Sequence, residues 1–329
     1  MKQLLPLLFC LSAGLLAGCR ADDVIICAPV TAAPTFANLR AVAPAVQKFI
    51  FNLAQAQSFR TRGGATVAFG PNAFALPNGS LATGQAELRV REIYSVADMI
   101  LANMPTTAQS SRQMLISGGE FNIQVWQGST RLSMALTVAT SNGSNHLLLT
   151  SPVPTAGLDT TRMLLWKQLT SPLAGTPGDS SAWQPAITRN AGPGVQTPVP
   201  SVNGTYSVSF PLDSIGNWNI DQFWHFYQSN SSGNIGVVVP TSVGATATRV
   251  YFRPIGFNGL ARCYAASTST TRWNSLLPYG VDVVAVVLQE RNGQFYYGTQ
   301  RVTTTSNLVV TPTLQALSMA DIVQRIRQL

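Results

Sequence analysis

The chain of 329 residues holds two histidines, His146 and His225. A three-histidine zinc site is therefore excluded, and no cysteine pair has the spacing of metal ligands. Asp221 stands four positions before His225. Such a pair can orient a general base. No Gly-x-Ser-x-Gly elbow brings a nucleophile to it, so its expected role is a structural hydrogen bond near the core. Glu87 and Glu92 lie five apart on one strand, and odd spacing sends them to opposite faces, so they are not a glycosidase pair by themselves. Glu120, Asp98 and Asp282 are isolated in sequence. No calcium loop occurs, and Gly63-Gly64 reads as a turn before a strand rather than a phosphate cradle. The expectation is a protein with no catalytic residues, no metal and no cofactor.

The densest aromatic group is Trp218, Phe223, Trp224, Phe226 and Tyr227. Aromatic faces stack on sugar rings, but alternate residues of a strand face opposite sides, so some of the group must be core. Trp218, Trp224 and Tyr227 are the candidate glycan-stacking residues.

Four cysteines divide by position. Met1-Lys2 is a positive start, and Leu4 to Leu16 is an apolar run too short to span a bilayer. Leu15-Leu16-Ala17-Gly18-Cys19 then looks like a bacterial lipobox, cut before a cysteine that takes lipid. Cys19 is the expected attachment point, and each buried CH₂ of its acyl chains adds about 0.8 kcal/mol of membrane affinity. The alternative is an ordinary signal peptide with a chance cysteine. Cys10 leaves with the peptide. Cys27 and Cys263 remain, in a compartment where a disulfide is permitted. They are read either as a disulfide or as two unpaired thiols.

The elements that must position these residues are β. Ala86, Leu88 and Val90 alternate with Glu87, Arg89 and Arg91; Phe121, Ile123 and Val125 alternate with Asn122, Gln124 and Trp126. Gln127-Gly128-Ser129 turns the chain into a second run through Leu132, Met134, Leu136 and Val138. Residues 95–102 have helical spacing, with Pro105 beyond. Further strands are expected at 206–210, 235–239, 248–252, 281–289, 294–302 and 307–314. Asn292-Gly293 favours a primed hairpin turn. Ser318 with Asp321 caps a final helix whose stripe is Ile322, Val323, Ile326 and Leu329, expected to pack on the second module.

The expected organisation is a signal peptide at 1–18, a flexible tether at 19–45, a first β-sandwich-like module at 46–200 and a second β-rich module with the helix at 201–329. Pro29, Pro34 and Pro44 are read as breaking any helix in the tether, with order starting near Phe49. The Pro/Gly/Ser/Thr-rich stretch 171–204 is either the boundary or a surface excursion. The fold class is thus mainly β, two sandwich-like modules and a short C-terminal helix.

Several motifs carry a family resemblance. Gly63 to Val67, Pro71-Asn72-Ala73-Phe74, Gly79 and Gly84, then Ala97 to Leu101 and Leu115 to Phe121, resemble Bacteroidota outer-envelope lipoproteins without an assigned activity. Asp22-Asp23 resembles the surface-export signal of such proteins. The first part is also similar to the β-sandwich of zonula-occludens proteins, netrin receptors and ankyrins. Gly216 to Phe223 resembles the family's Gly-Trp-Ile-Asn-Cys-Asp-Arg-Phe, with Asp221 matching its Asp, Ile220 in place of its Cys and Gln222 in place of its Arg. Tyr296 to Gln300 matches a late strand, and the hairpin around it resembles non-catalytic carboxypeptidase-regulatory sandwiches. Asp159-Thr160-Thr161 and Asp213-Ser214-Ile215 match an O-glycosylation pattern of Bacteroidota envelope proteins, making Thr160 and Ser214 candidate acceptors.

Charged residues make up 10% of the chain, against a typical 25% or so, while 46% are hydrophobic. Disorder and long coiled coil are excluded on that balance. The formal charge of +8 suits anionic polysaccharide or lipopolysaccharide phosphate, but it is read first as a diffuse surface property. The arginines are scattered without interleaved aromatics, which argues against nucleic acid. The expected function is a lipid-anchored outer-membrane protein facing the periplasm or the cell surface. Its role would be structural, adhesive or ligand-presenting, without catalysis. Its partners would be the membrane, through lipid, and envelope polysaccharide or another envelope protein. The alternatives are a carbohydrate-binding accessory lipoprotein and a hydrolase with an unrecognised site.

Overall fold

In the computed structural model, the described residues are 35–108, 112–135, 147–152, 163–168, 182–186, 197–200, 206–224, 232–239, 247–265 and 271–329. They fall in one compact unit, Pro34–Leu329, and are mainly β. The chain runs α1 (Phe36–Ala41), β1 (Gln47–Asn52), β2 (Gln57–Arg60), β3 (Thr66–Phe69), β4 (Phe74–Ala75), β5 (Gln85–Ile93) and α2 (Val96–Ala102). It continues through β6 (Leu115–Gln127), β7 (Thr130–Arg131), β8 (Ser133–Met134), β9 (Leu147–Pro152), β10 (Leu164–Gln168), β11 (Trp183–Pro185), β12 (Thr197–Pro200), β13 (Tyr206–Leu212) and β14 (Gly216–Phe223). The last part is β15 (Ser232–Val238), β16 (Thr248–Pro254), β17 (Ala261–Arg262), β18 (Tyr264–Ala265), β19 (Arg272–Pro278), β20 (Asp282–Arg291), β21 (Gln294–Thr303), β22 (Val309–Val310), β23 (Gln315–Leu317) and α3 (Met319–Arg327).

The first sandwich packs a sheet of order β1-β5-β6-β14-β10-β11, with β7 on β6, against one of order β12-β13-β9-β3-β2. Its core interleaves Leu88, Val90, Phe121, Ile123, Trp218 and Ile220 from the first sheet with Val67, Phe69, Leu149, Val208 and Phe210 from the second. The alternation that predicts β5 and β6 is the alternation between this core and the opposite face.

The second sandwich packs β17-β16-β20-β21-β23 against β18-β19-β15-β22. Val283, Ala285 and Val287 of β20 meet Ile235, Val237 and Trp273 in its core. Val286 and Leu288 point the other way, into a separate apolar cluster with Ile100, Phe295, Ile322 and Ile326. A strand buried on both faces reads as a continuous apolar run, which is why residues 283–288 carry no polar position. Trp166, Trp183 and Leu115 join the same cluster, so it links the two sandwiches.

Three local predictions hold. Asn292 and Gly293 have φ of 51° and 71°, the primed turn between β20 and β21. The Ser318 side chain accepts from the Asp321 N–H, and Ile322 and Ile326 are buried. Ser95 caps α2 in the same way, and Asn103 ends it at φ 56°.

Two expectations are corrected. Residues 36–41 are helical rather than tether: Thr35 and Asn38 form a reciprocal capping box, and Phe36 and Leu39 are buried. Phe36 sits edge-on to Phe295 at 5.1 Å, which anchors α1 on the β21 side of the core. Pro34 precedes the N-cap in sequence, where no helical N–H is needed, so it does not oppose the helix. The second correction concerns the boundary at 200/201. β13 pairs with β9, and β14 lies between β6 and β10, so residues 206–223 complete the first sandwich. Within the stretch 171–204, β11 and β12 are edge strands of that sandwich.

Candidate functional site

The outer face of the first sheet divides into a covered end and an open end. The dividing feature is a bulge in β6. Glu120 pairs with Asn219, and Ser117 pairs with Asp221, so three steps on β6 answer two on β14. Gly118 and Gly119 absorb the difference. Gly119 has φ 144°, and a Cβ there would lie 2.7 Å from the Tyr94 ring. The bulge resets the strand parity and brings Ser117, Glu120, Asn219 and Asp221 together.

Ser117 Oγ donates to Asn219 Oδ1 at 3.1 Å, and Asn219 Nδ2 donates to Asp221 Oδ2. Glu120 and Asp221 are both 0% exposed. Neither oxygen of Glu120 has a hydrogen-bond partner, nor does Oδ1 of Asp221. Burial pushes the Glu120 carboxyl well above its ordinary range, and the Asp221 charge adds to the effect. Burial raises Asp221 likewise, against the hydrogen bonds of Ser117 and Asn219. The second sandwich covers this end. Asn258 Nδ2 donates to Ser117 O at 2.8 Å and Tyr94 O at 3.0 Å, and Ser117 N donates to Asn258 O at 2.7 Å. The Trp166 indole donates to Asp221 O at 3.0 Å. Two carboxyls held as neutral acids are capable of acid–base chemistry, but these are enclosed on all sides.

At the open end, cross-strand pairs form rows across β1, β5, β6, β7 and β14. One row is Ile50, Glu87, Trp126 and Arg131; the next begins Lys48, Arg89 and Gln124; a third is Arg91, Asn122 and Asn217. Directly opposed residues share a face. Arg89 ion-pairs with Glu87 and lies over the Trp126 ring at 4.8 Å. That hydrogen bond from Arg89 holds the Glu87 carboxyl below its usual range. Lys48 stands 3.7 Å from Glu87. Trp126 Nε1 donates to Gln124 at 2.9 Å, Gln124 Nε2 to Asn122 at 3.0 Å, Asn122 Nδ2 to Asn217 and Asn217 Nδ2 to Gln168. A shallow depression of about 230 Å³ lies against Ile50, Gln85, Glu87, Arg89 and Trp126.

The aromatic prediction needs correcting. Trp218 is 0% exposed, its indole donating to Ser214 O, and Trp224 is 8% exposed against Phe257. Neither offers a ring face to a sugar; the β14 pairing turns Trp218 into the sandwich core. The missed aromatic is Trp126. Its signal was present in the sequence, because it alternates with the core residues of β6 together with Asn122 and Gln124. Cys263 is a free, buried thiol whose pKa burial raises; Cys27, with which a disulfide is one expectation, lies outside the described residues. Ser214 is half-buried and donates to Asp213 at 2.9 Å. Glu87 and Glu92 do face opposite sides. Glu92 is buried and accepts from Thr61 Oγ1, Gly63 N, Tyr94 OH and Gln47 Nε2. Cys19, Cys27, Thr160, His146, His225 and Tyr227 lie outside the described residues. Among the described residues, no three His, Cys, Asp or Glu side chains form a metal-binding group.

No family model and no curated protein sequence matches the chain.

Proposed function

We propose a lipid-anchored cell-envelope protein that presents the open end of the first sheet to a ligand and performs no catalysis. The observation that carries this reading is the contrast between the two ends of one sheet face. The carboxyls with strongly shifted acidity, Glu120 and Asp221, are enclosed, whereas the open end presents cationic, amide and aromatic side chains with Ile50 and one carboxylate, Glu87, ion-paired to Arg89. Open groups of this kind bind and orient a ligand; they include no nucleophile placed beside a base. The lipobox-like Leu15 to Cys19 and the likeness of the chain's motifs to Bacteroidota envelope lipoproteins support the anchoring.

The test is fractionation of the native host. Cys19 is expected to carry lipid in the outer membrane, and Cys19→Ala is expected to leave the membrane fraction and escape normal processing. A Cys19→Ala chain that still partitions with membranes and is processed normally overturns the anchoring.

A further inference from the structure

We propose that the open end of the first sheet binds an acidic glycan, one whose sugar units carry carboxylates. The proposal rests on the ligand-presenting role given above and specifies its ligand class.

Charge is the first argument. Lys48, Arg89, Arg91 and Arg131 lie on this face, against the single carboxylate of Glu87. Among the described residues Arg91 and Arg131 form no ion pair. The Arg91 Nε is buried without a partner, and Arg40 sits near enough to repel its charge. An arginine fork matches a carboxylate through two parallel N–H···O bonds. A carboxylate arriving here would meet uncompensated positive charge.

Shape is the second. The depression combines apolar side chains, Ile50 on β1 and Trp126 on β6, with the polar Gln85, Glu87 and Arg89 of β5 between them. One sugar ring likewise offers both characters, C–H bonds on its faces and hydroxyls at its rim. At 230 Å³ the depression falls below the roughly 300–1,000 Å³ of pockets that enclose whole small ligands. It fits one unit of a longer chain lying across the rows.

The amides are the third. Gln168, Asn217, Asn122 and Gln124 are linked side chain to side chain and end at Trp126. Each is oriented by its neighbour before a ligand arrives, which lowers the entropy cost of binding. A protein partner would need an apolar interface centre, and Ile50 is the one large apolar side chain exposed within β1, β5, β6, β7 and β14.

The full chain in detergent can be titrated calorimetrically with an alginate oligosaccharide, a neutral glucan of equal length, polyglutamate and a single-stranded oligonucleotide. The alginate is expected to bind, with affinity falling as salt rises. The neutral glucan is expected to bind at least about tenfold more weakly, and Trp126→Ala and Arg131→Ala to lose about tenfold each. Arg131 is exposed, so its variant tests the face even where Trp126→Ala fails to fold. Arg301→Ala, an exposed cation on the second sandwich, is expected to change nothing. Absence of alginate binding overturns the proposal, as does tighter binding of the glucan or the oligonucleotide. Polyglutamate binding as well as alginate, with Trp126→Ala and Arg131→Ala silent, also overturns it. Fractionation of Cys19→Ala reads the anchoring separately, so the two readings fail independently.

Discussion

The two sandwiches bury their central strands differently. In the second, β20 has apolar neighbours on both faces: the partner sheet on one, α1, α2, α3 and the first sandwich on the other. In the first, the outer face of β6 is enclosed at Glu120 and open at Asn122, Gln124 and Trp126. Around Val286 and Leu288 that face of β20 is therefore covered, while the first sheet keeps an open end of amide, cationic and aromatic side chains. What the first sheet loses is apolar burial, and at the covered end it also tolerates two carboxyls without full hydrogen bonding. The proposed binding face and the structural cost share the strands β6 and β14.

The comparison yields a graded set of substitutions. Phe295→Ala strikes the cluster shared by both sandwiches. Phe295 is 0% exposed, and loss of a buried phenylalanine costs about 3–5 kcal/mol. Urea unfolding should show it; a cost below about 1 kcal/mol would mean that the linking cluster is loosely packed.

Gly119→Ala strikes the bulge. The left-handed φ and the approach to Tyr94 leave no room for a methyl group, so a loss of about 1–3 kcal/mol is expected. A neutral result would show that the ring and bulge shift freely.

Glu120→Gln addresses the enclosed carboxyls through pH. Unfolded Asp and Glu ionise near pH 4, whereas the native pair holds its protons well above that. Over this interval the native state binds more protons than the unfolded state, so stability falls as pH rises. It is greatest below the unfolded pKa and declines until the native pKa is passed. Glu120→Gln should flatten the decline and stabilise the protein at pH 7 by about 1 kcal/mol or more. An unchanged slope between pH 4 and 8 would remove Glu120 as its source.

Ile50→Thr is the smallest change. Ile50 is 63% exposed, and the cost should stay within about 0.5 kcal/mol. A larger value would show that the open end contributes to folding.

Signals that depend on a few neighbouring residues were legible in the sequence. Ser318 with Asp321, Asn292-Gly293 and the alternation from Ala86 to Arg91 each act within one element, and each is realised. The misreadings arise where distant segments decide. Trp218 is core because β14 inserts between β6 and β10. Glu120 meets Asp221 because a two-glycine bulge breaks the two-residue period, and nothing in a periodic reading marks where it breaks. The helix at 36–41 was hidden by proline-rich surroundings, although its capping box is local. Trp126 was legible and went unread because it stands apart from the aromatic-rich segment.

The position of β14 also bears on how the chain folds as it emerges. This strand is the last of the first sandwich in sequence, yet it occupies an interior place in the sheet, hydrogen-bonded to β6 on one side and β10 on the other. Until residue 223 is available, β6 and β10 have no partner on those sides, and their backbone groups form open edges. The first sandwich therefore cannot close in N-to-C order as its residues are delivered. Its completion waits on pairing between segments about a hundred residues apart, the kind of nonlocal contact that slows folding. In a chain delivered from its N-terminus, Asn217 joins Asn122 and Gln168 on the proposed binding face only after most of the polypeptide has arrived.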